Sequence, residues 1–144
     1  MKFNLTQINA MIPADFEQLR EQGEEYRREL SDAVVGLITT PAGWQVNAEY
    51  RGEFGGLFPV QIRFQPRHES AGGYGVCLCS PGELLPGWLI VLVSDDARYA
   101  NILHQSEHLE PDAISTLLSR VAGMQRLNCS SATVNALLGQ GVAA

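Results

Sequence analysis

Two histidines and a glutamate stand at a spacing that could hold a zinc ion. His104, Glu107 and His108 fit the pattern H-x-x-E-H of inverted zinc peptidases. In that chemistry two histidines one helical turn apart bind the metal, and the glutamate acts as general base. Pro111 follows closely, so the segment is more readily a strand end or a loop than the long helix that the pattern requires. A zinc hydrolase through these three residues is a remote alternative.

No other set of reactive side chains in the sequence assembles an active site. After Glu110 the chain has no further histidine or glutamate, so only Asp112 and Cys129 could supply a third zinc ligand. The glycine-rich segments Gly52–Gly56 and Gly72–Gly75 lack the lysine and the serine or threonine of a phosphate-binding loop. We therefore expect neither an enzyme nor a bound cofactor.

The three cysteines do not predict a disulfide framework. Cys77 and Cys79 lie two apart in a strand-like run, so both point to the same face of that strand. Cys129 is far away in the sequence, and an odd count at low density is unlike a disulfide-rich domain. Small buried thiols are the favoured interpretation, ahead of a redox or metal pair.

The charge balance argues against direct binding of nucleic acid. The net charge is −6, and Lys2 is the only lysine in the chain. Binding to a phosphate backbone depends on clustered lysine and arginine. A protein partner with a basic surface is the better expectation.

An acidic stretch runs from Asp15 to Asp32, with seven acidic residues against three arginines. The favoured interpretation is a solvated helix face, with pairs such as Glu24 and Arg28. The alternative is a negative docking surface for a basic partner.

Two alternating runs on either side of Gly52–Gly56 predict a β-hairpin. Trp44, Val46, Ala48 and Tyr50 would share one buried face, and the residues between them would face solvent. In the predicted register the pairs are Tyr50 with Phe58, Ala48 with Val60, Val46 with Ile62, and Trp44 with Phe64.

The other elements place this hairpin in an α+β domain. We expect a central antiparallel sheet of four to five strands, a meander, with two N-terminal and two C-terminal helices packed on it. The segment from Met1 to Met11 is ambiguous between a short strand and an arm. The predicted helices are Pro13–Gly23, 24–39, 111–124 and 131–138. The predicted later strands are Tyr74–Ser80, Trp88–Val93 and 98–105. Trp88–Val93 is an unbroken apolar run, so it is expected at the centre of the sheet with both faces covered.

At 144 residues we expect a single domain spanning residues 1–144. The longest apolar run is too short to span a membrane, and no secretory signal is evident, so a cytoplasmic protein is expected.

The string from Gly52 to Glu69, GEFGGLFPVQIRFQPRHE, closely resembles the plasmid SOS-inhibition protein B (PsiB) family. The resemblance continues in Leu78–Gly82 and Trp88–Val93, and it includes Asn47–Tyr50 and Tyr26–Leu30. It is specific from about Glu24 to Val93 and loose after Arg98. The loop from Ser70 to Tyr74 is longer and richer in glycine than the family pattern.

The resemblance implies a cytoplasmic protein that is encoded on a conjugative plasmid. Such proteins bind the recombinase RecA in solution and hinder its nucleation on single-stranded DNA. LexA cleavage is then not stimulated, and the SOS response stays off during plasmid entry. Single-strand DNA-binding protein is a second partner that the resemblance leaves open. An acidic DNA mimic of the anti-restriction type is the alternative function.

Two surfaces are candidates for partner binding. The first is the solvent-facing side and the loop of the hairpin, with Glu49, Arg51, Glu53, Phe54 and Arg63. The second is the acidic first helix and its continuation, with Asp15, Glu17, Glu21, Glu24 and Glu25.

Overall fold

The protein folds as a five-stranded antiparallel sheet covered by helices. The computed structural model describes residues 3–48, 57–67, 74–94 and 100–124. The helices are α1 (Leu5–Ala10), α2 (Pro13–Gln22), α3 (Glu24–Leu37) and α4 (Pro111–Gly123). The strands are β1 (Trp44–Asn47), β2 (Gln61–Pro66), β3 (Tyr74–Cys79), β4 (Trp88–Ser94) and β5 (Ala100–Ser106). Each strand pairs with the next along the chain, so the α+β class and the predicted meander are confirmed.

The N-terminal region holds three helices instead of two. The extra helix is α1, in the segment that the sequence left ambiguous between strand and arm. Its start is fixed by a capping box: the Asn4 side chain accepts a bond from the Gln7 amide at 2.8 Å, and the Asn4 amide donates to the Gln7 side chain at 3.0 Å. The predicted second C-terminal helix, 131–138, lies outside the described residues.

The predicted register of the hairpin is wrong by two residues. Val46 pairs with Phe64 and Trp44 with Pro66, whereas the alternation suggested Ile62 and Phe64 as their partners. A shift of two keeps every side chain on its face, so the pattern of alternation cannot detect it. The register is held at the end away from the loop, where the Arg67 amide donates to the Gly43 carbonyl at 2.9 Å. The predicted loop Gly52–Gly56 lies outside the described residues.

The main core lies between one face of the sheet and the four helices of the described residues. Phe64 of β2 and Leu92 of β4 are fully buried there, and Phe16 of α2 meets Trp88 edge-on with ring centroids 5.5 Å apart. The helices contribute apolar residues at helical spacing: Ile8, Phe16, Leu19, Leu30, Val34, Ile114, Leu118 and Val121. Helices from both ends of the chain therefore pack on the same face of the sheet.

β4 is covered on both faces, as its apolar run predicted, but it is not central. β3 is the middle strand, and β4 lies second from the edge formed by β5. Leu89, Val91 and Val93 of β4 join a smaller apolar cluster on the second face of the sheet. A strand next to the edge can be as buried as a central strand when both of its faces are covered. The apolar run of β4 therefore predicted its burial but not its place in the strand order.

The second face of β2 is buried, which contradicts the expectation of a solvent-exposed side. Gln61 is only 2% exposed and Arg63 only 3%. The Arg63 side chain lies over β3, where the residues on this face are small; a Cβ on Gly75 would stand 2.6 Å from Cζ of Arg63. The Arg63 Nε donates to Oε1 of Gln65 at 2.7 Å. The alternation of apolar and polar residues along β2 predicted that Arg63 would face solvent. It could not show that the small residues of β3 leave room for this long polar side chain to be buried.

The thiols of Cys77 and Cys79 are free and buried on this second face. Burial, followed by the nearby Cys77, raises the pKa of Cys79 well above its ordinary value. A thiol that resists ionisation is a poor nucleophile and a poor metal ligand. The interpretation of this pair as small buried thiols is therefore confirmed, and Cys129 lies outside the described residues.

Candidate partner-binding surfaces

The residues of the zinc pattern do not lie on a helix. His104 is on β5, whereas Glu107 and His108 lie in the bend that follows it. The imidazole of His104 instead contacts the Glu110 carboxylate, with Nε2 and Oε1 3.0 Å apart. Within the described ranges, no three His, Cys, Asp or Glu side chains are grouped so that they could hold a metal ion. The spacing of the two histidines in this structure is thus not the helical spacing that zinc peptidases use.

Glu110, the N-cap residue of α4, links the start of that helix to β5 through its contact with His104. Hydrogen bonds from the Ser106 side chain, and then from His104, lower the pKa of Glu110. Pro111 follows as the first residue of α4, which is the position in a helix where a missing amide is harmless. His104 and Glu110 are therefore explained by local structure.

Two of the five acidic residues of the second candidate surface, on the acidic helix and its continuation, have structural contacts. The Asp15 carboxylate accepts a hydrogen bond from the Ile12 amide at 2.9 Å, at the N-terminus of α2. Glu17 pairs through Oε1 with Nε of Arg20 at 2.6 Å, and its Oε2 accepts from the Glu83 amide at 2.8 Å. Glu17 thus ties α2 to the segment that follows β3. The Glu83 amide is the largest of the effects that lower the pKa of Glu17.

Replacing Glu17 with glutamine is expected to cost about 1 kcal/mol of stability near neutral pH, because the charge-assisted contacts are lost. A carboxylate whose pKa is lowered by folding adds stability above its unfolded pKa, and this stability is lost as the pH falls through the folded pKa. The difference between the wild type and Glu17→Gln should therefore shrink below about pH 4.5 and vanish at lower pH. Urea unfolding measured from about pH 7 to about pH 3 tests this expectation.

Glu21→Gln is the matched control for that measurement, because Glu21 lies on the same helix and is exposed. Its difference from the wild type near neutral pH should stay within about 0.5 kcal/mol, as is usual for an exposed surface position. A difference for Glu17→Gln that does not change with pH would contradict the stated role of its carboxylate.

Glu21, Glu24 and Glu25 are exposed and lie together at the junction of α2 and α3; we call these three residues the acidic corner. The junction turns at Gly23, whose φ of 106° is a conformation that favours glycine. Arg27 holds the turn, because its Nη1 donates to the carbonyls of Leu19 and Arg20 at 3.3 Å each. The acidic corner is therefore a defined surface at a helix junction.

The hairpin surface is largely outside the described residues. Glu49, Arg51, Glu53 and Phe54 all lie there, so their role in partner binding stays a prediction. Arg63, the fifth residue named for this surface, is buried on the second face of the sheet. Its expected position on a solvent-facing side is wrong.

The two strings that carry the family resemblance meet in the structure. Ser80 is fully buried, and its Oγ accepts a hydrogen bond from the Val60 amide at 3.1 Å. Gly82 packs so closely that an added Cβ would lie 2.9 Å from Cδ of Pro59 and 2.8 Å from Oε2 of Glu17. Within the described residues, Pro59 and Val60 of the first string thus contact Ser80 and Gly82 of the second, and Gly82 also packs against Glu17 of α2.

A groove lies between α1 and the end of β5; we call it the α1–β5 groove. Its volume is about 520 Å³. The groove is lined by Ile8, Asn9, Ala10, Met11, Ile12, Pro13, Pro81, Pro86, Gly87, Trp88, Gln105, Ser106, Glu107 and His108. Sequence reasoning missed this groove because one wall is α1, and the Asn4–Gln7 capping pattern was the signal that could have revealed that helix.

The chain matches the model of a known protein family. The model of the family described as plasmid SOS inhibition protein (PsiB) matches residues 2–141. The match covers nearly the whole chain, including the part after Arg98 where the resemblance in the sequence was loose. None of the helices in the described ranges is long and apolar enough to cross a membrane.

Proposed function

Because the chain belongs to the plasmid SOS inhibition protein (PsiB) family, we propose that it suppresses the SOS response by binding free RecA. In this proposal the complex hinders nucleation of RecA on single-stranded DNA. LexA cleavage is then not stimulated while a conjugative plasmid enters the cell, and the protein acts in the cytoplasm. The family match is the observation that carries the proposal.

The proposed mechanism is mass action on unassembled RecA. A partner that binds only the free protein lowers the concentration available for assembly. Nucleation requires several RecA molecules on one stretch of DNA, so its rate falls more steeply than the free concentration. Extension of an existing filament is less sensitive, because it adds one molecule at a time. Inhibition by this route is stoichiometric and requires no catalytic residue.

The acidic corner supports this proposal through its charge. The net charge of −6 and the exposed carboxylates of Glu21, Glu24 and Glu25 suit a partner with a basic surface. We propose that the acidic corner faces the basic DNA-binding regions of RecA. Single-strand DNA-binding protein is a second partner to be tested in the same way.

A pull-down with purified RecA, with and without single-stranded DNA, tests the proposed function. The expected result is a complex with RecA alone and less complex when DNA has already assembled RecA into filaments. Equal capture from filaments, or no capture of free RecA, would contradict the proposal. An acidic DNA mimic would instead protect DNA from restriction enzymes and leave RecA unbound.

A further inference from the structure

The α1–β5 groove has a fixed shape and a largely apolar floor. Trp88 lies at its base and is only 3% exposed, held from behind by the edge-on ring of Phe16. One end is fixed by backbone, because a Cβ on Gly87 would stand 2.8 Å from the carbonyl oxygen of Ser106. Ligand sites on proteins are typically concave and mostly apolar, with a few placed polar groups. The groove has this character before any partner binds.

Ile12 at the edge of the groove is not explained by the fold. It is 60% exposed, although its side chain is entirely apolar. It occupies the N-cap of α2, where serine, threonine, aspartate or asparagine would stabilise the helix and isoleucine does not. Asp15 caps the Ile12 amide from within the helix, so the isoleucine side chain contributes nothing to that bond. Ile12 therefore adds exposed apolar surface at the edge of a concave site, which an isolated exposed residue such as Leu84 does not do.

The polar groups of the groove suggest the charge of that molecule. Asn9 is engaged within the protein: its side chain donates to the Leu109 carbonyl at 3.2 Å and accepts from the Leu109 amide at 2.7 Å. Glu107 is exposed in the lining and makes no ion pair with any residue of the described ranges. Glu107 is the one acidic residue in the lining, which also holds His108 but no lysine or arginine. A positively charged group would therefore be attracted here.

We propose that the α1–β5 groove receives a short segment of the protein partner that carries one large apolar side chain next to a lysine or arginine. The apolar side chain would pack against Ile12 at the edge of the groove, and the cation would pair with Glu107. This inference rests on the proposed function, because it assigns a contact site on the same partner. The three carboxylates of the acidic corner can attract a basic partner by charge but form no pocket for an apolar side chain. The α1–β5 groove would supply that pocket.

The test measures the affinity of purified full-length variants for RecA. Ile12→Ser removes the apolar group and introduces a favourable N-cap, so the melting temperature should be unchanged or higher while affinity falls about fivefold. Glu107→Gln should weaken binding about fivefold at low salt and less at high salt. The matched controls are Leu84→Ser, at an exposed leucine outside the lining, and Asp112→Asn, at an exposed carboxylate of α4. Both controls should bind like the wild type.

The outcomes separate the two proposals. If the wild type binds RecA and Ile12→Ser binds equally well, the groove proposal is wrong and the proposed function stands. Loss of affinity in Leu84→Ser as large as in Ile12→Ser would also overturn the groove proposal, because any exposed apolar residue would then suffice. If the wild type itself does not bind RecA, the proposed function fails and the groove proposal fails with it.

Discussion

Replacing Phe16 with alanine is expected to lower the free energy of unfolding by about 3–5 kcal/mol. Phe16 is 1% exposed and lies where α2 meets the sheet. Its ring contacts Trp88 at a centroid distance of 5.5 Å and an interplanar angle of 88°, a favourable edge-on arrangement. Alanine would leave a cavity between α2 and β4 that the surrounding core cannot fill completely. Chemical denaturation with urea gives the free energy directly.

Two control variants make the result for Phe16 specific. Phe16→Leu keeps most of the apolar volume and should cost about 1–1.5 kcal/mol. Gln18→Ala changes an exposed residue of the same helix and should stay within about 0.5 kcal/mol of the wild type. A loss below about 1 kcal/mol for Phe16→Ala would contradict the described packing of α2 on the sheet.

Reversing the charge of the acidic corner is expected to weaken binding to RecA about 30-fold at low salt. The triple variant Glu21→Lys, Glu24→Lys, Glu25→Lys changes the net charge of the chain from −6 to zero. Placing like charges against a basic partner costs several kcal/mol, and about 2 kcal/mol corresponds to 30-fold in affinity. The triple variant should lose less free energy of unfolding than free energy of binding. Some loss is expected because Glu24 and Glu25 lie in the first turn of α3, where carboxylates are favourable.

Salt provides the control for this triple variant. At about 1 M ionic strength the Debye length is about 3 Å, so the wild type and the triple variant should bind RecA with similar affinity. A variant that binds as the wild type does at low salt would exclude the acidic corner as a contact surface. A difference that persists at high salt would indicate a change in structure, which the melting temperature would reveal.

The fold class was predictable because it depends on patterns that repeat along the chain. Two signals in the sequence identify α4. Pro111 marks the first turn of a helix, and the spacing of Ile114, Leu118 and Val121 places these apolar residues on one helix face. The register of β1 and β2 was not predictable, because a shift by two residues leaves the pattern unchanged. The observed register includes a hydrogen bond from the Arg67 amide to the Gly43 carbonyl, two residues that only the folded hairpin brings together.

The candidate surfaces were predictable only in part, because charge in a sequence does not reveal which carboxylates have partners. Glu17 and Glu21 look alike in the acidic stretch, yet Glu17 binds the Glu83 amide and Glu21 is exposed. Arg63 shows the same limit, because its burial depends on the small residues of β3. The α1–β5 groove joins three segments that are distant in sequence, so no local pattern could describe it.

The most direct test of the proposed mechanism is an order-of-addition measurement of DNA-dependent ATP hydrolysis by RecA. The protein is added either before or after RecA meets single-stranded DNA, at the same concentrations. The account predicts a long lag and a reduced rate when the protein is added first, and much weaker inhibition of filaments already assembled. Equal inhibition in both orders, or none in either, would contradict the claim that this protein acts on free RecA.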